Sequence, residues 1–502
     1  MKRTVFIISL FLMTALQALY AQPFYKSLEP GKNQMAVYVG AYDWGPCVNK
    51  IVVHTEKPLQ AESLKLSDFE VERRLYHSDT GLTKSSGELT LTEVFCSDSK
   101  GNPVSGESSY FTILTDVYPE AENSSPFTGF VSSGSGMFEK LYSYRVTNDE
   151  LDLKITNVQG FVSEEAARFT LGAYDYKSDG LAESGADKGS KNVEFTLNYM
   201  YYIPELPGGR ASPDKKLPLI LWFHSIGESG SNPYQVLFGI KTTALAGEKI
   251  QKYFENGAAV LAPQCPTGWL ETVDEDNLGI RYWAPVDIDG SVKKVTNPIK
   301  KFFNGFTGIK EEEKEADGEQ KPFAAVSFYT EPVTQMLMSF LEMHPEIDRR
   351  RIYVGGCSAG GYMTMNMMIQ HPELFAAAFP ACEYYLDSKI SKEQIRELSK
   401  KPLWFTYAEN DETVKPKNTS IPTIRRLREA GAKNLKVTVF PNVTDTSGTV
   451  LKNRRAKEGD RDYGLLYEYD GHSSWIYVLN DECRDEKDGN LSLYEWLNSF
   501  AN

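Results

Sequence analysis

The chain has 502 residues, 41% of them hydrophobic and 24% charged, which suits roughly two to four folded domains and excludes a disordered or collagen-like chain. Its 54 basic and 68 acidic residues leave a net charge of −14, which removes the electrostatic basis for general nucleic-acid binding and favours solubility. The single long apolar run lies at the N-terminus, so the remainder offers no membrane-spanning helix.

That run reads as a signal peptide over residues 1–21. Lys2 and Arg3 precede an apolar stretch, Thr4–Tyr20, interrupted by Ser9, Thr14 and Gln17, and Ala21 is a small residue at the cleavage position. The expectation is export to the periplasm or medium, with no stable membrane insertion after cleavage. An uncleaved anchor is the alternative. The first cysteine is Cys47, so a lipid-modified N-terminal cysteine is excluded. Cys47, Cys96, Cys265, Cys357, Cys382 and Cys483 contain no CxxC unit, so no zinc or redox motif is expected. An exported chain is free to oxidise them, but their spacing chooses no pairing.

Residues 30–162 are expected to form an all-β sandwich. Met35–Val39, Lys50–His54, Phe69–Arg73, Leu89–Val94 and Leu151–Ile155 are short strand candidates, several alternating with period two. Turn-rich stretches such as Asp98–Gly106 and Ser132–Gly136 separate them, as in an antiparallel sandwich.

The pattern changes near residue 165, and residues 165–502 read as a second domain. Continuous apolar runs appear at Phe195–Ile203, Pro218–Phe223, Ala258–Ala262, Ile352–Val354, Ala376–Phe379, Leu403–Tyr407 and Leu435–Phe440. Such runs suit strands buried on both faces of a mostly parallel sheet between helix layers. Glu331–Met343, Gly361–Gln370 and Lys392–Lys400 are helix candidates. Ser178–Lys191, the charge-dense Lys310–Lys321 and the polar Val443–Asp462 read as surface loops.

Residues 356–360 spell G-x-S-x-G around Ser358. The strand before it and the helix after it supply the context of a nucleophile elbow. The turn strains the serine backbone, and glycines two positions away on either side relieve the crowding. Ser358 is therefore the expected nucleophile. A serine hydroxyl needs a base, and in this fold class the acid and then the histidine follow the serine. Of six histidines only His371 and His472 do so. His371 ends the helix behind the elbow, which leaves His472 as the base. The acid is expected after Leu403–Tyr407, where Asp411 is chosen over Glu409 and Glu412, with Asp387 in reserve. Backbone N–H groups of Ala359 and Ile226 are the expected oxyanion donors, with Ser225 next. His224 precedes the nucleophile and is expected to brace its loop.

These residues carry a resemblance. Leu217–Gly230, Val260–Pro266 with Trp269, Ile347–Gly361, Asp411, and Gly471–His472 with Trp475 resemble, in this order, secreted bacterial esterases of the α/β-hydrolase superfamily. That group is related to polyhydroxybutyrate depolymerases and feruloyl esterases. It is also called predicted peptidases, for a distant likeness to prolyl oligopeptidase. The likeness covers about residues 165–500. Trp44–Pro46, Lys50–Val53 and Phe69–Val71 resemble the immunoglobulin-like domain that precedes some of these esterases. The resemblance implies an α/β hydrolase after an immunoglobulin-like sandwich, acting on esters with no cofactor and no metal. There are departures. His224-Ser225 stands where the family has His-Gly, Cys357 and Ala359 flank the serine, and the charged segment around Lys314 is long for the family.

Carboxylester hydrolysis is the expected function, on a small or polymer-linked ester. A serine peptidase using the same residues is the second expectation. The N-terminal half is too short for the β-propeller gate of prolyl oligopeptidases. A binding protein on a hydrolase fold is the third, and the Ser, Asp, His order argues against it. Trp269, Tyr282, Trp283, Tyr384, Tyr385 and Trp475 are expected in or near loops of the active face, mostly as packing. Oligomeric state is not legible.

Overall fold

The computed structural model describes residues 24–76, 83–127, 141–178, 193–205, 216–274, 279–282 and 326–502. The expected signal peptide, the Ser132–Gly136 turn, the loop after Ser178, Trp283 and the charged segment 310–321 lie outside the described residues. The chain divides into two units. One holds residues up to Thr170 with Asn232–Glu248, the other Leu171–Ser231 and Lys249–Asn502.

The first unit carries two sheets. Strands β1 (Phe24–Tyr25), β2 (Gln34–Tyr42), β3 (Gly45–Gln60), β6 (Leu91–Ser97), β7 (Glu107–Thr115) and β10 (Val158–Val162) form a six-stranded sheet in the order β1-β10-β2-β3-β7-β6. Strands β4 (Glu70–Tyr76), β5 (Thr83–Glu88), β8 (Ser143–Asn148) and β9 (Leu153–Ile155) form a second, ordered β5-β4-β8-β9. Alternation explains the core. Phe69 and Val71 are buried while Glu70 is exposed, and Val71 lies opposite the buried Val146. The sheets meet through Phe69 with Phe111 at 5.3 Å and Tyr144 with Phe161 at 6.2 Å. The fold is the all-β immunoglobulin-like sandwich expected from the sequence. One detail differs from an all-antiparallel arrangement: β10 pairs in parallel with both β1 and β2. Parallel neighbours need a long connection, and β10 reaches β2 only after every other strand of the unit.

Segment 232–248 lies within the range read as the second domain, yet it packs with the first unit. Its helix α1 (Tyr234–Phe238) puts Tyr234 and Phe238 at 5.1 and 4.9 Å from Phe24. Lys241 pairs with Asp43 at 2.9 Å.

The second unit is built on an eight-stranded sheet. Its strands are β11 (Thr170–Ser178), β12 (Val193–Tyr202), β13 (Leu217–Phe223), β14 (Ala259–Pro263), β17 (Ile347–Cys357), β18 (Ala377–Ala381), β19 (Leu403–Ala408) and β20 (Leu435–Phe440). A short hairpin, β15 (Glu271–Asp274) with β16 (Gly279–Tyr282), stands apart from it. The sheet order is β11-β12-β14-β13-β17-β18-β19-β20. All pairs from β14 to β20 are parallel, while β12 meets β14 antiparallel. Every residue of β13, β14, β18 and β19 is buried, which is why those strands read as unbroken apolar runs. Helices α2 (Thr330–Met343), α3 (Ala359–Gln370), α4 (Lys392–Leu398) and α5 (Ser420–Glu429) cover the sheet, and α3 is buried from Ala359 to Met368. This is an α/β-hydrolase fold. The chain leaves β13 for β14 on one side and later enters β17 on the other. Ligands of open α/β sheets bind at such a reversal, outside the carboxyl ends of the strands. Among the described residues no helix is long and apolar enough to cross a membrane.

Candidate active site

Ser358 stands between β17 and α3 with φ 56° and ψ −119°, a conformation costly for any residue with a side chain. Close packing holds it there. Its N–H donates to the Ala381 carbonyl at 3.1 Å, and its own carbonyl accepts from the Tyr362 N–H at 2.9 Å. A Cβ on Gly356 would lie 2.5 Å from the Gly360 carbonyl oxygen, and one on Gly360 would lie 2.6 Å from that of His224 and press on that of Phe223. Only glycine fits either position, because backbone on both sides cannot give way.

His472 lies in a one-turn 3-10 segment, Gly471–Ser473, whose start is capped by Asp470 accepting the His472 N–H at 2.8 Å. Two short strands, β21 (Val443–Thr444) and β22 (Glu468–Tyr469), pair just before this turn. Nε2 of His472 is 2.8 Å from Ser358 Oγ, and Nδ1 is 2.8 Å from Asp411 Oδ2. Trp475, which opens helix α6 (Trp475–Leu479), meets the imidazole edge-on with centroids 5.6 Å apart.

Asp411 lies in the loop after β19, and its side chain is fully buried. Oδ1 accepts the N–H groups of Thr413 and Val414 at 2.9 and 2.8 Å. The carboxylate can only accept, so Nδ1 of His472 carries the proton. Nε2 is left to accept from the serine hydroxyl. The other acidic candidates stand elsewhere. Asp387 accepts from Arg426 and Thr423 at 2.8 and 3.1 Å, Glu412 pairs with Lys415 on the surface, and Glu409 is exposed. His371 caps the end of α3, 3.4 Å from Glu373.

Ala359 opens α3, so its N–H is one that a helix start leaves without an intrahelical acceptor. Ile226 opens the 3-10 turn Ile226–Glu228 after β13. The neighbouring Ser225 N–H faces the buried Glu228 carboxyl. Burial pushes that carboxyl well above its ordinary range. Ser225 itself is extended at φ −70° and ψ 170°, a backbone conformation that needs no glycine.

His224 is fully buried. Its Nδ1 bonds the Ser225 carbonyl at 2.5 Å and its Nε2 accepts the Cys265 N–H at 2.9 Å, so Nδ1 carries the only proton. Desolvation lowers the imidazole pKa to about 4. Trp269 donates its indole N–H to the His224 carbonyl at 3.0 Å. Sequence reasoning did not foresee this bond. Trp269 entered only as one of the residues that carry the family resemblance, and its partner lies 45 residues away in the chain.

The aromatic residues largely serve as packing. Trp269 and Tyr385 are buried, Trp475 is 4% exposed, and Tyr385 stacks on Tyr362 at 5.0 Å. All six cysteines are buried, and none is joined in a disulfide. Among the described residues no three His, Cys, Asp or Glu side chains gather as a metal ion would require.

Residues 36–161 match the family model "Esterase Ig-like N-terminal domain", and residues 334–385, which include the elbow, match the "Prolyl oligopeptidase family". No curated protein matches the chain. The crystal structure of a thermostable esterase is similar with a TM-score of 0.57 at 20% identity, covering 93% of this chain and 99% of that one. A ferulic acid esterase from Anaeromyces mucronatus matches at TM-score 0.31 and 14% identity, covering 55% of this chain and 84% of that one. The acylaminoacyl peptidase of Pyrococcus horikoshii matches at 0.32 and 14%, covering 60% and 41%. The first likeness speaks to the fold, an immunoglobulin-like domain followed by an α/β hydrolase.

Proposed function

We propose that the chain is an exported serine hydrolase that cleaves carboxylic esters through an acyl-enzyme. The observation that carries this reading is the pair of 2.8 Å hydrogen bonds linking Ser358 to His472 and His472 to Asp411. Export rests on the basic, apolar and small residues of positions 1–21.

Nε2 of His472 takes the Ser358 proton as Oγ attacks the ester carbonyl. Asp411 holds the Nδ1–H tautomer and stabilises the imidazolium. The Ala359 and Ile226 N–H groups receive the negative charge on the carbonyl oxygen, and one such donor is worth roughly 10²–10³-fold in kcat. His472 then protonates the leaving alcohol, and water repeats the sequence on the acyl-serine.

A peptidase reading is the second. It is favoured by the prolyl-oligopeptidase match across the elbow and needs the same residues with an amine leaving group.

Hydrolysis of p-nitrophenyl esters of increasing acyl length, beside a proline-containing peptide amide, tests both readings. Ester turnover that disappears in Ser358→Ala is the expected result. Amide turnover without ester turnover would move the assignment to a peptidase. Neither activity from a folded wild type, or ester turnover undiminished in Ser358→Ala, would defeat both.

A further inference from the structure

Glu383 is a buried carboxyl that the reaction above leaves unused. It is 1% exposed and lies two residues beyond β18. Its Oε2 accepts the Tyr385 N–H at 2.6 Å, and its Oε1 accepts the Ser420 hydroxyl at 2.9 Å. Burial, which outweighs those bonds, raises the carboxyl to about 8. Such a group is costly to keep beside a hydrophobic core, so its connections matter.

Those connections run to both halves of the catalytic arrangement. On one side is the elbow. Gly361 is three residues past Ser358, and a Cβ there would lie 2.7 Å from Glu383 Cα and 2.8 Å from its Cβ. The α3 backbone therefore rests directly on Glu383. Tyr385, bonded to Glu383, stacks on Tyr362, whose N–H holds the Ser358 carbonyl. On the other side is the acid. Ser420 is the first residue of α5, the helix that follows the Asp411 loop. Further along α5, Asp387 accepts from Thr423 and Arg426, and the Ile390 carbonyl accepts from Arg426 at 2.8 Å. The loop after β18 is thus fastened along α5, and Glu383 is its fastening nearest the acid.

We propose that Glu383 is a positioning residue whose carboxyl sets the spacing between the nucleophile elbow and the loop bearing Asp411. This rests on the serine-hydrolase reading. Without the carboxyl the bonds to Tyr385 and Ser420 are lost, and although Thr423 and Arg426 still hold α5 further along, the start of α5 and the acid loop shift against α3 and the Ser358–His472–Asp411 chain lengthens. A misplacement of about 1 Å is enough to cost on the order of 10²-fold in rate.

The test uses the full chain with Glu383→Ala, Glu383→Gln and Ser420→Ala. Active sites are counted by end-point titration with a fluorophosphonate, and its labelling rate is followed beside ester kcat and KM. Glutamine keeps one acceptor for the Tyr385 N–H, and the Ser420 hydroxyl can turn to accept from its NH2. The expected result for Glu383→Ala is a fall of at least about tenfold in kcat and labelling rate per titrated site, with KM within about twofold. Glutamine should restore both to within about threefold of wild type. Unchanged kcat and labelling rate per titrated site in Glu383→Ala, whatever its melting temperature, would overturn the inference alone. If Glu383→Ala yields no folded protein, Ser420→Ala decides. A fall in both rates of about threefold or more supports the inference, and wild-type rates overturn it. A wild type that the fluorophosphonate does not label would remove the serine-hydrolase reading and this inference with it.

Discussion

Gly471 is seated on Asn410: a Cβ at position 471 would lie 2.5 Å from the Asn410 carbonyl oxygen and press on its side-chain oxygen. These residues immediately precede His472 and Asp411. The imidazole turn and the acid loop therefore meet backbone to backbone, and the 2.8 Å His472–Asp411 bond depends on a missing side chain. Gly471→Ala should drive the two loops apart. A loss of about 10²-fold in kcat is expected, with KM little changed. Steady-state ester kinetics on a variant with native circular dichroism would check this, and wild-type kcat would refute it.

Asp411 orients an imidazole whose other nitrogen faces the serine. Asp411→Asn presents an NH2 that competes with the Nδ1 proton and favours the wrong tautomer. On the serine-hydrolase reading a fall in kcat of roughly 10⁴-fold is expected, the size found when the aspartate of a Ser-His-Asp triad becomes asparagine. Asp387→Asn, at a carboxylate that accepts from the Arg426 and Thr423 side chains and not from His472, should leave kcat within about threefold. Equal losses in the two variants would contradict the assignment.

Gly360 faces the carbonyls of Phe223, which ends β13, and of His224, which begins the loop after it. An alanine there meets backbone on a buried sheet, so the strain has no flexible side chain to absorb it. Gly360→Ala should cost about 1–3 kcal/mol of stability and most of the activity. Chemical denaturation with an unchanged midpoint would show that the elbow relaxes more freely than its packing implies.

His224 is held neutral by burial, with a pKa of about 4 against an ordinary 6.5. Between those values the unfolded chain binds a proton that the folded chain refuses. Its stabilising contribution is therefore complete above about pH 6.5 and lost progressively as the pH falls toward 4, levelling off below. Denaturation midpoints measured across that range should decline. The decline should be shallower in His224→Gln, which has no such proton to exclude. Parallel slopes in the two proteins would show that His224 contributes nothing to acid sensitivity.

Much of this architecture was legible because it is local. Fully buried strands such as Leu217–Phe223 and Leu403–Ala408 must be apolar throughout, and the half-buried Phe69–Glu72 must alternate. The elbow was legible because its strand, its two glycines and its helix follow one another within a few residues, although the carbonyls that exclude a side chain at Gly360 belong to Phe223 and His224. Segment 232–248 was not, because its partners Phe24 and Asp43 lie some 200 positions away in the chain. Glu383 was missed for the same reason: its partners Gly361 and Ser420 are close only after β17, β18 and β19 have aligned.

The sequence by itself determined the two kinds of domain and the strand–turn–helix around Ser358, and it narrowed the expected base and acid to short stretches. Those are matters of periodicity, steric need and chain order. Only the tertiary structure decided which carboxylate of the 409–412 loop reaches His472, which nitrogen of His224 carries its proton, and which buried acid lies against both Gly361 and Ser420. Each of those depends on distances of a few ångströms between segments far apart in the chain. Such distances follow from how the sheet is packed and covered, not from the residues of any one segment.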